Sequence, residues 1–439
     1  MTKAAIIAAP ASGSGKTTIT LGLLRYFARN NIPVSSFKVG PDYIDPGFHT
    51  AASGRHCLNI DGWAMRPDTI AKLFGQVAAY AEVVIGEGVM GLFDGAQAED
   101  GKSLGSTADV AAALGLPVIL VVDAAAQAQS AIATIQGFAN FRNDITVTGV
   151  IFNRVGSERH ATILRAAAAT GDIPVLGCVP RTPDIALPNR HLGLVQASEI
   201  ETLELFLDAA ADIIATHIDI AALRDLLAPV GARPGGLPPL PLPPLGSRIA
   251  VASDEAFQFH YRHVFEGWRA ADSELIPFSP LADQAPADSV DAVYLPGGYP
   301  ELYAGNLASA CNFLAGLRSA AARGAVIYGE CGGYMVLGEA LTDAEGQVHA
   351  MAGLLPLETS FADRKLHLGY RNVKLSVDTP LGAAQTAFGA HEFHYAGIIR
   401  EDSASTLFTA TDAAGGRLGA MGLQRGNVMG SFIHLIDSR

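Results

Sequence analysis

The feature that most constrains the fold is a strand, a glycine-rich loop and a helix that follow one another at the start of the sequence. The run Ala4–Ala9 leads into Pro10-Ala11-Ser12-Gly13-Ser14-Gly15-Lys16-Thr17-Thr18, and a helical pattern continues over Ile19–Arg29. Glycines allow successive backbone amides to turn toward phosphate oxygens, and the helix N-terminus adds its dipole. This order predicts a phosphate-binding loop at the edge of a mostly parallel α/β sheet.

The loop supplies the first set of candidate binding residues. Lys16 is expected to reach the terminal phosphates of a nucleotide, and the Thr17 hydroxyl is expected to bind Mg²⁺. Pro10 occupies the place of the first glycine in the usual pattern of such loops. The predicted contacts with the nucleotide are Gly13, Ser14, Gly15, Lys16, Thr17 and Thr18.

Two acidic segments follow later predicted strands. Asp45 lies after the second strand and Glu87 after the third, and the carboxyl ends of parallel strands meet at one edge of a sheet. Together with Thr17, these two carboxylates are the predicted metal ligands, although a turn former or a helix cap is the alternative for each. Lys38 is predicted to neutralise a phosphate or a substrate carboxylate, and a solvated lysine is its alternative.

Two further strands are followed by Asn153-Arg154 and Pro180-Arg181. The side-chain amide of an asparagine can donate to and accept from a purine edge at once. We therefore predict nucleotide contacts at Asn153 and Pro180, with an ordinary loop asparagine as the alternative.

A proline-rich stretch, GARPGGLPPLPLPPLG over residues 231–246, interrupts the alternation of strands and helices. Proline removes a backbone donor and fixes φ, so neither a helix nor a central strand continues through it. We predict a domain over residues 1–232, a linker with polyproline II character over 233–246, and a second α/β domain over 247–439. A ligand for an SH3-type domain is the alternative to a spacer. The predicted strands are Ala4–Ala9, Val34–Val39, Val83–Gly86, Pro117–Val122, Thr146–Phe152, Ile173–Cys178, Arg248–Ala252, Glu274–Pro277, Ala292–Leu295 and Ala325–Tyr328.

The second predicted domain contains a cysteine between small residues. The strand ending at Tyr328 runs into Gly329-Glu330-Cys331-Gly332-Gly333-Tyr334. Small neighbours allow a sharp strand-to-helix turn that presents a thiolate at a helix N-terminus, so Cys331 is a candidate nucleophile. The backbone amides of Gly297 and Gly298, which follow another strand, are expected to hold an oxyanion.

A thiol that attacks an amide needs a base. We choose His434, because its segment Gly430-Ser431-Phe432-Ile433-His434 has a loop-like composition near the C-terminus. The alternatives along the sequence are His367, His391 and His394.

Composition excludes several classes of partner. The net charge is −13, which disfavours a nucleic-acid or anionic membrane surface, and no apolar stretch of about 20 residues is present for a membrane span. The 4 cysteines form no Cys-x-x-Cys pair, so neither a zinc site nor a disulfide framework is indicated. We predict a cytoplasmic protein that binds neither nucleic acid nor membrane.

These motifs together resemble the cobyrinic acid a,c-diamide synthases, including their hydrogenobyrinic acid counterparts, across essentially the whole length. The first half is similar to dethiobiotin synthetase, and the second half resembles the class I glutamine amidotransferases. The resemblance implies a P-loop type parallel sheet domain joined by the proline-rich linker to a class I glutaminase-like α/β domain. The segments that carry it are residues 9–18, 38–46, 87–95, 190–194, 295–301 and 329–334.

The resemblance also implies a reaction. Cys331, activated by His434, would release ammonia from L-glutamine through a glutamyl thioester. At the other site ATP, with Mg²⁺ and the residues predicted above, would phosphorylate the a and c acetate carboxylates of cobyrinic or hydrogenobyrinic acid in turn. Ammonia would then displace phosphate and leave a carboxamide, a step of cobalamin biosynthesis.

The sequence leaves several alternatives open. The same chemistry could act on nickel sirohydrochlorin or, as in cobyric acid synthase, on four other corrin carboxylates, and a non-catalytic nucleotide switch is a reading of another class. The oligomeric state is open, a homodimer included. Substrate contacts are hypothesised at Asp42, Arg190, His191, Arg55 and His56.

One departure concerns the group that orients His434. Many glutaminases of the wider class have a glutamate two residues after the catalytic histidine, and Ile436 stands there in this chain. Asp437 is one residue further on, and we do not assign it the role. The orienting group is therefore unassigned by the sequence.

Overall fold

The computed structural model describes residues 1–98, 101, 103–182, 196–231, 240–402 and 405–439. The chain divides into two compact units. The first comprises Met1–Trp63, Pro67–Gly95 and the described part of 103–236, and the second comprises Ala64–Arg66 with the described parts of 96–102 and 237–439. Both units are α/β, which confirms the predicted fold class. Among the described residues, no helix combines the length and the apolar character that crossing a membrane requires.

The first unit is built on a parallel sheet. Its strand β7 carries the sequence VILVVD with five buried residues, as expected where helices cover both faces of a sheet. In the described part of residues 1–231, the strands are β1 (Lys3–Ala8), β2 (Val34–Val39), β3 (Leu58–Ile60), β4 (Val83–Glu87), β5 (Ala96–Gln97), β6 (Ser103–Leu104), β7 (Val118–Asp123), β8 (Val147–Val155), β9 (Val175–Pro180) and β10 (Ala228–Pro229). The sheet order is β3-β2-β4-β1-β7-β8-β9, and β10 pairs antiparallel with β1.

Helices connect these parallel strands. Parallel neighbours require crossover connections, which the helices provide here. Over the same residues they are α1 (Lys16–Arg29), α2 (Asp45–Ser53), α3 (Pro67–Ala78), α4 (Thr107–Leu114), α5 (Ala131–Asn140), α6 (Glu158–Ala168), α7 (Leu203–His217) and α8 (Ile220–Leu226), with a 3₁₀ turn at Ala197–Glu199.

The second unit combines a parallel and an antiparallel region in one long sheet. Its strands are β11 (Arg248–Ala252), β12 (Glu274–Phe278), β13 (Ala292–Leu295), β14 (Val326–Glu330), β15 (Ala340–Thr342), β16 (Val348–Ala350), β17 (Leu357–Ser360), β18 (His367–Leu375), β19 (Ala387–His394), β20 (Gly397–Glu401), β21 (Thr406–Asp412), β22 (Arg417–Arg425), β23 (Val428–Ser431) and β24 (Ile433–Ser438). The long sheet has the order β12-β11-β13-β14-β23-β22-β21-β18-β19-β24, and β16-β15-β17-β20 form a smaller one. The strands β12, β11, β13, β14 and β23 are parallel, and the remaining pairs of the long sheet are antiparallel.

Four helices and a 3₁₀ turn complete the described elements of the second unit: α9 (Arg262–Ala270), α10 (Ala304–Ser309), α11 (Cys311–Ala322), α12 (Gly332–Leu337) and Pro300–Tyr303. Every strand that the sequence predicts has a counterpart in the structure, with ends that differ by at most three residues. The strands from β15 onward, most of which pair antiparallel with their neighbours, are absent from the predicted set.

The C-terminal part of the proline-rich stretch packs on the second unit. Leu242 and Leu245 are buried, and the indole Nε1 of Trp268 donates to the carbonyl oxygen of Pro243 at 3.1 Å. The backbone amide of Ser438 donates to the carbonyl oxygen of Pro241 at 2.9 Å. Residues 240–246 are therefore part of the packed structure of this unit. The proline content instead predicts a spacer over these residues.

Candidate active sites

The phosphate-binding loop connects β1 to α1, in the predicted order of strand, loop and helix. Gly15 precedes the helix in a left-handed conformation with φ 91°, and the hydroxyl of Ser14 donates to the carbonyl oxygen of Ala11 at 2.8 Å. Nδ2 of Asn153 donates to the carbonyl oxygen of Ser14 at 2.9 Å. Asn153 thus holds the loop from the neighbouring part of the sheet, and its contact with a base stays a prediction.

Lys16 and Thr17 both reach the end of β4. Nζ of Lys16 donates to the carbonyl oxygen of Met90 at 2.6 Å, and Oγ1 of Thr17 donates to Oε1 of Glu87 at 2.6 Å. Burial and the nearby Lys38 lower the pKa of Lys16. The loop and the predicted metal ligand Glu87 therefore meet, as the sequence argument from strand ends expects.

Lys38 lies between the two predicted metal-binding carboxylates. Its Nζ is 2.5 Å from Oδ2 of Asp45 and 2.8 Å from Oε1 of Glu87, and the lysine side chain is only 4% exposed. Burial opposes a charged lysine, but the two carboxylates outweigh it and raise its pKa. The alternative of a solvated lysine is wrong, because Lys38 is buried in an ion-pair network.

The two carboxylates differ in their electrostatics. Burial and the neighbouring Asp42 raise the pKa of Asp45 to about 6, against the effect of Lys38. Burial also opposes ionisation of Glu87, but Lys38 and His49 outweigh it and lower its pKa. Nε2 of His49 lies 2.6 Å from Oε2 of Glu87. His49, three residues beyond the segment 38–46, is not among the residues predicted from the sequence.

The remaining predicted residues of the first unit are placed as follows. Oδ1 of Asp42 accepts from the backbone amides of Ile44 and Asp45, each at 2.8 Å, so Asp42 shapes the turn before α2. Nη1 of Arg55 donates to the carbonyl oxygen of Tyr80 at 2.7 Å, and His56 is exposed. Thr18 lies in the first turn of α1.

Two corrections concern strand ends. Asn153 and Pro180 were expected after strands, but Asn153 lies within β8 and Pro180 is the last residue of β9. The pairing of β8 with β9 continues beyond the apolar runs, as far as Val155 and Pro180. Arg190 and His191 lie outside the described residues.

Cys331 occupies a sharp turn between β14 and α12. Its φ of 48° and ψ of −105° are uncommon for a residue other than glycine, which confirms the predicted cramped turn. The side chain is buried, and Sγ lies 3.4 Å from the carbonyl oxygen of Phe393, to which the thiol donates. Burial and the nearby Glu301 raise the pKa of Cys331, so the thiol needs a base to react.

His434 lies beside this thiol, but not in a loop. It is the second residue of β24, so the loop-like context used to choose it is wrong. Gly430 and Ser431 belong to β23 and leave Phe432 as the link between two strands. A methyl group built on Gly297 would lie 2.4 Å from Cε1 of His434 and 3.2 Å from Cβ of Cys331, so both side chains border this glycine.

The two predicted oxyanion glycines differ in what their amides do. The amide of Gly297 donates to the carbonyl oxygen of Phe259 at 3.1 Å, in an isolated bridge between the two residues. The amide of Gly298 faces the thiol of Cys331, as does that of Gly332, and both lower the pKa of the thiol. The structure thus differs from the expectation for Gly297, whose amide is already used, and adds Gly332, which the sequence analysis missed.

Two of the other candidate bases, His391 and His394, lie close to His434. Nε2 of His394 lies 2.9 Å from Oε1 of Glu392, whose other oxygen is bound by Arg371 at 2.7 Å. The ring of His367 stacks on that of His394, with a centroid separation of 4.6 Å. His391 is paired with His434 across β19 and β24, and burial and Arg371 lower its pKa to about 3.

Comparisons with known proteins cover both units. Residues 5–195 match the CobQ/CobB/MinD/ParA nucleotide binding domain, and residues 248–439 match the CobB/CobQ-like glutamine amidotransferase domain. The chain is 55% identical over 438 residues to a protein of Brucella abortus biovar 1 named hydrogenobyrinate a,c-diamide synthase, covering 99% of this chain and 98% of the relative. Proteins of the same name from Rhizobium meliloti and Agrobacterium fabrum are 53% and 49% identical, and the matches cover 98% and 99% of this chain and 98% of each relative.

The chain belongs to the hydrogenobyrinate a,c-diamide synthase family. This membership agrees with the resemblance that the sequence motifs carry. It makes the chain a synthase in which a nucleotide-binding domain precedes a glutamine amidotransferase domain.

Membership of the hydrogenobyrinate a,c-diamide synthase family does not identify the group that orients His434. Two carboxylates lie close to His434 in the sequence or the structure, those of Asp437 and Glu330. Asp437 is bound by Arg66, whose backbone amide lies 2.8 Å from Oδ2 and whose Nη2 lies 2.7 Å from Oδ1. Glu330, directly before Cys331, is buried and has its Oε2 3.8 Å from Nδ1 of His434. Glu330 lies in the segment 329–334, and no role is predicted for it from the sequence.

Proposed function

We propose that this protein uses ATP and glutamine to amidate the a and c acetate carboxylates of hydrogenobyrinic acid in cobalamin biosynthesis. The observation that carries the proposal is the 55% identity to a relative named hydrogenobyrinate a,c-diamide synthase. The match covers 99% of this chain and 98% of the relative. The buried thiol and imidazole of one unit and the phosphate loop of the other supply residues suited to the two half-reactions. Cobyrinic acid is the second candidate acceptor.

In the proposed glutaminase reaction, Sγ of Cys331 attacks the side-chain carbonyl carbon of glutamine while His434 takes the thiol proton. The amides of Gly298 and Gly332 face the thiol and are suited to donate to the oxyanion of the tetrahedral intermediate. Collapse breaks the carbon–nitrogen bond, His434 returns the proton to the leaving nitrogen, and ammonia departs. Water then hydrolyses the thioester to glutamate.

In the proposed synthetase reaction, a corrin carboxylate oxygen attacks the terminal phosphorus of ATP, and ADP leaves. Lys16 and the loop amides hold the phosphates, and Lys38 is placed to compensate negative charge at this site. Ammonia then attacks the acyl carbon, and phosphate departs. Thr18, Asn153 and Pro180 as nucleotide contacts, and Asp42 as a substrate contact, remain predictions.

The proposed metal site consists of Thr17, Asp45 and Glu87. Their oxygens are of the hard type that Mg²⁺ prefers, and the two carboxylates already converge on a single cation, the ammonium of Lys38. The hydroxyl of Thr17 donates to the carboxylate of Glu87. When bound, Mg²⁺ would neutralise charge on the phosphates. The residues thus fit such an ion.

We also propose the domain limits of 1–232 for the synthetase domain, 233–246 for the linker and 247–439 for the glutaminase domain. The matched range 248–439 supports the start of the glutaminase domain, and the matched range 5–195 lies within the synthetase domain. Residues 240–246 of the linker pack on the second unit. Location in the cytoplasm and a homodimeric state stay predictions.

A product assay tests the proposal. The protein is incubated with ATP, Mg²⁺ and glutamine together with hydrogenobyrinic acid, cobyrinic acid or nickel sirohydrochlorin, and the products are identified by mass spectrometry. Two amides added to hydrogenobyrinic acid are expected. Four added amides would instead support the cobyric acid synthase reading, and no ATP-dependent product with any acceptor would favour the nucleotide switch.

A further inference from the structure

The group that orients His434 in the glutaminase site is not assigned by the sequence. Ile436 stands where many glutaminases of the wider class have a glutamate, and Asp437 is bound by Arg66 through its backbone amide and its guanidinium. The bond between Asp437 and Arg66 joins a side chain that is 0% exposed to one that is 33% exposed. Asp437 is therefore already committed to another cation.

Glu330 is an acidic side chain beside the imidazole of His434. Its Oε2 lies 3.8 Å from Nδ1 of His434, and the two side chains are 3% and 0% exposed. A distance of 3.8 Å is longer than a hydrogen bond, but catalytic hydrogen bonds often tighten when substrate binds. A movement of roughly 1 Å would bring the pair into hydrogen-bond range.

The carboxylate of Glu330 is held in place by three donors. The hydroxyl of Tyr294 lies 2.7 Å from Oε2, and the hydroxyl of Tyr328 lies 2.9 Å from Oε1. The backbone amide of Leu435, the residue after His434, lies 3.2 Å from Oε1. The carboxylate is thus fixed between the strand that carries the nucleophile and the strand that carries the base.

The two ring nitrogens of His434 lie next to different residues. Nε2 and Cε1 border Gly297, because a methyl group built there would lie 3.2 Å and 2.4 Å from them, and the same methyl would lie 3.2 Å from Cβ of Cys331. Nδ1 is the ring nitrogen nearer to Glu330. Burial, together with the neighbouring His391 and His394, lowers the pKa of His434 and so disfavours its protonated ring. When His434 takes a proton, a carboxylate beside the ring would therefore stabilise the imidazolium.

We propose that Glu330 is the positioning residue of the glutaminase site. Its carboxylate accepts a hydrogen bond from Nδ1–H of His434, which leaves the lone pair of Nε2 for the proton of Cys331 and stabilises the imidazolium that forms. The residue directly before the nucleophile thereby takes the part that the wider class assigns to a glutamate after the histidine. The inference rests on the proposed function of Cys331 and His434.

The substitution Glu330→Gln tests it. The amide keeps the shape of the side chain and an oxygen for Tyr328 and Leu435 but loses the charge. We expect kcat for glutamine hydrolysis to fall by about 10- to 1000-fold with little change in KM, while amidation with added ammonium salt keeps its rate. The matched variant Asp437→Asn removes the buried carboxylate on the strand of His434, which is bound by Arg66, and is expected to leave the pH profile of glutamine hydrolysis unchanged.

The pH profile separates positioning from a structural effect. Burial raises the pKa of Glu330 to about 7, against the hydrogen bonds from Tyr294 and Leu435. A carboxylate with a raised pKa is charged above that value, so wild-type kcat/KM for glutamine should decrease as the pH falls through about 7. Glu330→Gln should lack this limb, because the amide does not titrate.

Wild-type kcat and an unchanged pH profile in Glu330→Gln would overturn the role of Glu330. If Cys331→Ala retains glutamine hydrolysis, the proposed function fails at its nucleophile and the inference falls with it. A second measurement needs no substitution at Glu330: ¹⁵N NMR of the wild-type protein should report neutral His434 protonated at Nδ1. Protonation at Nε2 in the neutral ring would overturn the inference even if the variant does not fold.

Discussion

At the scale of single residues, burial decides the protonation states of Cys331 and His434 in the second unit. Cys331 has a raised pKa because it is buried beside Glu301, and His434 has a lowered pKa because it is buried beside two other histidines. Both groups are therefore neutral near pH 7 in the absence of substrate. A neutral thiol beside a neutral imidazole is the resting state from which a base-assisted attack starts.

Cys331, the proposed nucleophile, is the first residue to test. We expect Cys331→Ala to abolish glutamine-dependent amidation and to leave ammonium-dependent amidation in place, because the synthetase site does not need the thiol. Measuring both activities in one preparation checks this. Cys311→Ala, which removes an exposed cysteine, serves as the matched control and should retain both. Loss of both activities in folded Cys331→Ala would contradict the division into two sites.

Glu301 offers a prediction about the thiol alone. Burial raises the pKa of Glu301 to about 8, so its carboxylate carries charge above that pH and there raises the pKa of Cys331. Glu301→Gln should therefore react faster with iodoacetamide above pH 8 and at the wild-type rate well below it. Alkylation of Cys331 measured by mass spectrometry across pH gives the result. The exposed Glu345→Gln is the control, and equal rates at all pH values would disprove the coupling.

At the scale of elements, a close approach of α12 to β13 positions Cys331. A methyl group built on Gly333 would lie 2.0 Å from the carbonyl oxygen of Leu295, and the Gly333 amide donates to Pro296 at 3.1 Å. The helix that begins after Cys331 can thus lie directly against the strand. Because this contact is backbone to backbone, it cannot relax by a side-chain rotation.

The substitution Gly333→Ala should push α12 away from β13. We expect a loss of about 1–3 kcal/mol in the free energy of unfolding and a decrease in glutamine hydrolysis, since the turn at Cys331 would shift with the helix. Denaturant unfolding and a glutaminase assay measure the two effects. Gly305→Ala is the control, because a methyl group there meets His349 at an ordinary 3.6 Å. Equal stability of the two variants would contradict the argument.

At the scale of the whole molecule, each unit has its own core and its own chemistry. Trp63 belongs to the first unit and Trp268 to the second, and the sequence contains 2 tryptophans. Replacing Trp268 by phenylalanine therefore leaves a fluorescent reporter in the unit that carries the phosphate loop. The net charge of −13 is compatible with anionic ligands because Lys16 and Lys38 are placed locally at that loop.

Nucleotide binding should stabilise the first unit. In the Trp268→Phe background, ATP with Mg²⁺ at 100 times its Kd should raise the free energy of unfolding reported by Trp63 by about 2.7 kcal/mol. Adding Lys16→Ala should remove most of this gain, because the loop then lacks the cation for the phosphates. Denaturant titration monitored by fluorescence measures it, with the exposed Lys365→Ala as control. An undiminished gain in Lys16→Ala would exclude the predicted role.

The sequence by itself determined what depends on neighbours along the chain. The phosphate loop, the apolar parallel strands and the turn at Cys331 are local patterns, and the structure contains each of them. Only the tertiary structure decided which groups meet across the sheet. Glu330 and His434 are 104 positions apart by number, and Lys38, His49 and Glu87 come from three elements. Hydrogen bonds and buried charges between distant residues depend on strand order and register, which no local pattern specifies.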